Sequence, residues 1–182
     1  MRVIGGIWKG RRLSSFRGLS VRPTSDKVRE AVFNILPGDF PFKKVLDLFA
    51  GTGAMGIEAL SRGAEEIVFV DSDPAAISII RKNLDSLGYA GAGVLKRDAV
   101  SAVRTFSKKG ERFGLIFIDP PYSSGLVAQT LKAIDEEGIA EAGGIIVAEA
   151  SKRAPVSGEF KNLRQFDERR YGDTLIYFFT AD

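Results

Sequence analysis

A chain of 182 residues has room for one sizeable hydrophobic core and not for two ordinary domains, so a single domain is expected, with a basic extension over 1–40 and a core over 41–182. Cysteine and histidine are both absent, which excludes disulfides, a thiolate nucleophile, His-based metal sites, the Ser-His-Asp triad and a histidine general base. Residues 1–30 carry eight basic and two acidic side chains, a net of +6 within a total of +3, so the basic character belongs to the N-terminal segment.

In that segment, Gly5-Gly6 and Gly10 punctuate short β-like pieces, Arg2–Ile4 and Arg11–Leu13, which predict a small hairpin. Pro23-Thr24-Ser25-Asp26 then opens a helix, with Thr24 or Ser25 as cap, Val28, Val32, Ile35 and Leu36 on one face, and Pro37-Gly38 as the stop. From Lys44 strands and helices alternate. Strands are predicted at Val45–Leu48, Ile67–Val70, Gly93–Leu95, Leu115–Ile118 and Ile145–Ala148. Helices are predicted at Ala54–Ser61, Pro74–Leu87, Ala99–Phe106 and Leu126–Glu136. This alternation argues an α/β fold: a doubly wound, mostly parallel sheet with helices on both faces. Phe160–Arg170 and Thr174–Thr180, divided by Tyr171-Gly172-Asp173, read as an antiparallel hairpin at the sheet edge, and Ser151–Gly158 as a flexible loop. No apolar run approaches the length of a membrane span, and charge interrupts Met1–Arg12 too often for a signal peptide, so a cytoplasmic protein is expected.

After the first parallel strand comes Asp47-Leu48-Phe49-Ala50-Gly51-Thr52-Gly53-Ala54-Met55-Gly56, a glycine turn leading into a helix N-terminus. Asp71 ends the second strand, twenty residues past Gly51, where a carboxylate can hold ribose hydroxyls. The loop alone fits either a nicotinamide dinucleotide or S-adenosylmethionine. Asp47 tilts the choice, because a carboxylate there suits the ammonium of an amino-acid tail. Asp98 with Ala99 can receive an adenine amine, or Asp98 can be a plain helix cap. The candidate cofactor contacts are Asp47, Phe49, Ala50, Gly51, Thr52, Gly53, Asp71, Ser72, Asp98 and Ala99.

The decisive motif is Asp119-Pro120-Pro121-Tyr122, directly after the apolar run Leu115–Ile118. An exocyclic amine on a nucleobase is a poor nucleophile because its lone pair is delocalised into the ring. Asp119 and the Pro120 carbonyl can accept hydrogen bonds that localise that pair, the two prolines stiffen the turn, and Tyr122 offers a ring for stacking. Basic residues mixed with aromatics in the N-terminal segment suit an RNA contact, with Arg2, Trp8, Lys9, Arg11, Arg12, Arg17 and Arg22 as candidates. The alternative is a solvated basic surface with Trp8 packed on the core. A dinucleotide-dependent oxidoreductase would leave the proline motif and the arm unexplained. A non-catalytic RNA-binding protein would leave both motifs without a task.

The run Asp47–Ala64 and Asp119–Tyr122, together with Ile4–Leu13 and Arg22–Leu36, resemble the bacterial 16S rRNA guanine-N(2) methyltransferases across nearly the whole chain. The resemblance implies a class I methyltransferase fold that uses S-adenosylmethionine, without a metal, to modify one guanine of small-subunit ribosomal RNA, naked or within an assembling subunit. It implies that Asp47, Gly51 and Gly53 cradle the methionine moiety, Asp71 the ribose and Asp98 the adenine, while Asp119–Tyr122 face the target amine. The family commonly has Glu where this chain has Asp71. Because the same tetrapeptide occurs in enzymes that methylate adenine amines in DNA, guanine and RNA rest on the N-terminal pieces. A monomer is expected.

Overall fold

The computed structural model describes residues 1–16, 26–121 and 125–182. The elements in chain order are α1 (Asp26–Ile35), β1 (Lys44–Leu48), α2 (Ala54–Ser61), β2 (Glu66–Asp71), α3 (Pro74–Leu87), β3 (Gly93–Lys96), α4 (Ala99–Lys108), β4 (Phe113–Ile118), α5 (Leu126–Glu137), β5 (Ala140–Ser151), β6 (Leu163–Tyr171) and β7 (Thr174–Ala181). The seven strands form one sheet in the order β3-β2-β1-β4-β5-β7-β6. The first five are parallel, and β7 pairs antiparallel with both β5 and β6. This is the doubly wound, mostly parallel sheet with a C-terminal hairpin that the sequence pattern predicts.

The period-2 rule divides the core. On β4, Leu115 and Phe117 join Val32 and Phe33 of α1, Ile57 of α2 and Ile80 of α3 on one side. Ile116 and Ile118 join Ala102, Val103 and Phe106 of α4 and Leu131 and Ile134 of α5 on the other. A strand covered on both faces reads as an unbroken apolar run, which is why Phe113–Ile118 lacks alternation. Helix signals are equally local: Asp73 caps α3 by accepting from Ala75 N at 2.8 Å, Pro74 occupies its first turn, and Gly88 ends it at φ 72°.

Two strands differ from the sequence reading by more than two residues, each through a distant partner. β5 runs well beyond the apolar Ile145–Ala148, because Ala140 pairs with Phe113 and Glu149–Ser151 pair with Ile176–Thr174. β6 begins at Leu163 rather than Phe160, since the Asp135 carboxylate takes the backbone N–H groups of Lys161 and Asn162 at 2.9 and 2.7 Å. The predicted N-terminal hairpin forms as a short one, with an Arg2–Arg12 bridge and backbone hydrogen bonds from Val3 N to Arg11 O at 3.0 Å and from Leu13 N to Met1 O at 3.1 Å, closed around a 3-10 turn at Gly6–Trp8. The predicted caps Thr24 and Ser25 lie outside the described residues. The Ser151–Gly158 loop is tied by Lys152 N to Asp173 O and by Val156 N to the Tyr177 hydroxyl. Among the described residues no helix is long and apolar enough to cross a membrane.

Candidate active site

Parallel pairing brings the carboxyl ends of β2, β1 and β4 side by side, with Leu48 in register with both Val70 and Ile118. The loop after β1 and the motif after β4 therefore leave adjacent strand ends, on the side where open α/β sheets bind ligands. The chain turns sharply after Leu48. Phe49 has φ 60°, a left-handed conformation that costs a non-glycine residue about 1–3 kcal/mol. Gly51 and Gly53 follow at φ 55° and 76°.

The three loop glycines answer different demands. A Cβ on Gly51 would find only the Phe49 carbonyl oxygen, 3.9 Å away, so this position faces open space. A Cβ on Gly53 would lie 3.3 Å from both Ile80 and Phe69, and one on Gly56 would lie 2.4 Å from the Phe69 ring. Gly53 and Gly56 thus let α2 approach the sheet. The sequence reading put Gly53 against the ligand, but the side on which it lacks a side chain faces the core.

The three acids of the predicted cofactor site, Asp47, Asp71 and Asp98, each hold backbone. Asp71 accepts from Gly51 N at 2.8 Å through one oxygen and from Asp73 N at 2.9 Å through the other. Asp47 is 2 % exposed and accepts from Gly56 N at 2.9 Å, so it sits beneath the loop rather than beside its open face. Burial pushes its carboxyl well above the ordinary range; the Gly56 N–H opposes this, and the negative Asp119 and Asp71 add to it. Asp98 caps α4 by accepting from Ser101 N at 2.9 Å, the alternative weighed from sequence. Ala99 is buried beneath it and Ser72 is exposed. Asp119 is half-buried after the fully covered Ile118, with Pro120 buried and Pro121 exposed. A cavity of about 160 Å³ adjoins the motif, lined by Pro120, Pro121, Leu126, Val127, Ala150 and Val156 among others. Tyr122 lies outside the described residues, as do Arg17 and Arg22.

The N-terminal arm is bolted to this site by side chains that sequence reasoning missed. Glu58, wholly buried on α2, accepts from Ile4 N at 2.8 Å, Gly5 N at 2.7 Å and Arg62 Nε at 2.9 Å. Ser61 donates to Gly5 O at 2.6 Å and accepts from Trp8 N at 2.9 Å. Asn83 on α3 accepts from Ser14 N at 2.7 Å and donates to Ser14 O at 3.2 Å, while also donating to Thr52 O in the glycine loop at 2.9 Å. One signal was available: a carboxylate inside the otherwise apolar Ala54–Leu60, a helix with no polar face, demands a buried partner. Arg2, Lys9 and Arg12 are exposed, and Arg11 is exposed but donates to Ser86 O at 2.6 Å. Trp8 is half-buried edge-on against Tyr89, ring centroids 5.8 Å apart. The expected base-stacking ring is therefore turned inward, because the 3-10 turn carries it onto the core.

Residues 1–180 match the model of the family described as Conserved hypothetical protein 95. The chain belongs to this family. Among its relatives, YlbH of Bacillus subtilis is 42% identical, over 97% of this chain and 96% of that protein. Ribosomal RNA small subunit methyltransferase D of Escherichia coli is 38% identical, over 76% of this chain and 68% of that protein. The structure of yhhF from Escherichia coli superposes with a TM-score of 0.87 at 33% identity, covering 100% of this chain and 98% of that one. The sheet is that of a methyltransferase, and the chain is an enzyme of that class.

Proposed function

We propose that the protein transfers a methyl group from S-adenosylmethionine to the exocyclic amine of a guanine in 16S ribosomal RNA. The observation that carries this reading is the convergence of Asp47, Asp71 and Asp119 around a glycine loop whose open face is at Gly51. Asp71 and Asp119 place negative charge at neighbouring strand ends above the buried Asp47, and such a crevice suits a ligand with cationic ends, such as an ammonium and a sulfonium. The pyrophosphate of a dinucleotide would meet repulsion there. Gly51 and Thr52 would border the methionine end, and Asp71 would receive the ribose hydroxyls on lone pairs left after its two backbone bonds. The exposed Asp98 would turn its second oxygen to the adenine. When bound, the cofactor supplies an electrophilic methyl group on sulfur.

Everything else falls to this chain. Asp119 and the Pro120 carbonyl accept hydrogen bonds from the target amine, localising its lone pair and aiming it along the line of attack. The amine becomes strongly acidic once methylated, so its proton leaves afterwards to Asp119 or to water. Tyr122 stacks on the base. Lack of histidine and cysteine fits a reaction in which positioning matters more than strong base catalysis. Guanine and 16S RNA follow the likeness of Ile4–Leu13 and Arg22–Leu36 to the family, supported by relatives named for the small-subunit RNA. The enzyme is read as a cytoplasmic monomer that needs no metal.

The test is transfer of labelled methyl to 16S rRNA followed by nucleoside mapping, with calorimetry against S-adenosylmethionine and NAD. Label on guanine N2 with cofactor-specific binding is expected. Label on adenine would move the target to the other amine, and NAD binding alone would overturn the reading.

A further inference from the structure

We propose that Ile7 is an apolar tip that packs against exposed bases of the RNA substrate, a base contact beyond the phosphate contacts of the arm. This inference rests on the rRNA reading above. Ile7 is 80% exposed, against 40% for Leu95 and 44% for Phe166, the other large apolar side chains left in water among the described residues. A single exposed isoleucine is ordinary on a protein surface. What sets this one apart is how it is held.

On its N-terminal side, the N–H groups of Ile4 and Gly5 are fixed by Glu58 and the Gly5 carbonyl by Ser61. On its C-terminal side, Trp8 N is fixed by the same Ser61 hydroxyl. Gly6 lies so close to α2 that a Cβ there would be 1.7 Å from the Ser61 carbonyl oxygen, and its φ of +72° is a glycine conformation. The turn is thus pressed onto the protein and Ile7 projects from a fixed base. Side chains presented with little freedom left to lose convert contact into affinity efficiently.

Charge identifies the occupant. Residues 1–16 hold Arg2, Lys9, Arg11 and Arg12 and no acidic residue, so the tip rises from a surface that attracts a polyanion. Phosphates offer an aliphatic side chain nothing. The apolar surfaces of RNA are the faces of unstacked bases and the floor of the shallow minor groove, and proteins insert aliphatic wedges at such steps in DNA. Trp8, which the sequence suggested for this task, is turned onto Tyr89, and its neighbour Ile7 is the one presented.

Substituting lysine at this position separates base contact from charge attraction. In filter binding and single-turnover methylation of 16S rRNA, Ile7→Lys is expected to weaken binding about five- to twentyfold despite its added positive charge. Ile7→Ala should weaken it in the same direction without changing the salt slope, and Ile7→Leu should restore it. Melting temperature and S-adenosylmethionine affinity should match the parent in all three. If Ile7→Lys binds RNA as well as or better than the parent, the tip is only part of a charged surface and the proposal fails while the rRNA reading stands. A parent whose mass shows self-association that Ile7→Lys abolishes would assign the tip to a second copy and overturn the proposal. A parent that neither binds nor methylates rRNA would overturn both readings.

Discussion

Asp71 serves the scaffold, and the proposed ribose contact would share the same two oxygens. Its oxygens already hold Gly51 N and Asp73 N, so Asp71→Ala removes the bonds that shape the loop together with any to a ribose. S-adenosylmethionine affinity should fall by at least about 1.5–3 kcal/mol, the range for charge-assisted bonds; unchanged affinity by calorimetry would remove Asp71 from the site. Asp47 predicts a pH effect with a definite sign. Because burial raises its carboxyl well above the ordinary value of 3.8, the folded protein keeps, above that value, a proton that the unfolded chain has lost. Stability of the ligand-free protein therefore declines as pH rises from the ordinary value through the raised one. Asp47→Asn still offers Gly56 N–H an oxygen, and it should flatten this decline and leave the variant the more stable of the two at neutral pH. Thermal melts across pH check it, and parallel profiles for parent and variant would show that the buried carboxyl is not the source. The places of Asp47 and Asp71 near strand ends were legible because strand ends and glycine turns are local signals. The roles of Glu58 and Asn83 were not, because their partners are Ile4 and Ser14, which only folding brings near, while the packed Trp8 is the alternative weighed from sequence.

At the scale of elements, α2 and α3 follow from caps, glycines and apolar spacing within their own sequence, and their bounds match the prediction. β5 and β6 do not, since pairing with Phe113 and anchoring by Asp135 lie outside any local window. The same distinction governs the glycine loop. Gly53→Val should fail by unseating the start of α2 from Phe69 and Ile80, lowering the melting temperature, rather than by obstructing a ligand in a well-folded protein. A loss of about 1–3 kcal/mol is expected, and a variant of parental stability with lost cofactor binding would restore the reading made from sequence. Between elements, Asn83 links α3, the glycine loop and the arm through three hydrogen bonds. Asn83→Ala should therefore weaken cofactor and RNA binding together, each by about 1 kcal/mol, although the residue need touch neither ligand. Weakening of one alone would show that the link does not carry between them.

Across the whole molecule, charge is divided between an acidic crevice at the strand ends and a basic N-terminal arm, matching a cationic donor and a polyanionic acceptor. The two halves of that division should fail in opposite ways. Replacing Arg2, Lys9 and Arg12 with Ala removes exposed cations while sparing Arg11 and its bond to Ser86, and should raise the apparent Michaelis constant for RNA. Each phosphate that loses its cation should reduce the magnitude of the logarithmic salt slope by somewhat under about one, while cofactor affinity stays parental. Equal slopes for parent and triple variant would make the arm a solvated surface. Asp119→Ala should do the reverse, leaving cofactor and RNA binding close to parental and lowering the single-turnover rate about a hundredfold to a thousandfold, the usual cost of one positioned group. Asp119→Asn should lie between, because its amide oxygen still accepts a hydrogen bond from the amine although the charge is gone. That intermediate distinguishes alignment of the lone pair from proton removal: a strong base would be lost as completely in Asn as in Ala. If the two variants are equally inactive on 16S rRNA, Asp119 acts chiefly as a base; if Asp119→Ala keeps a near-parental rate, the amine is oriented by other groups.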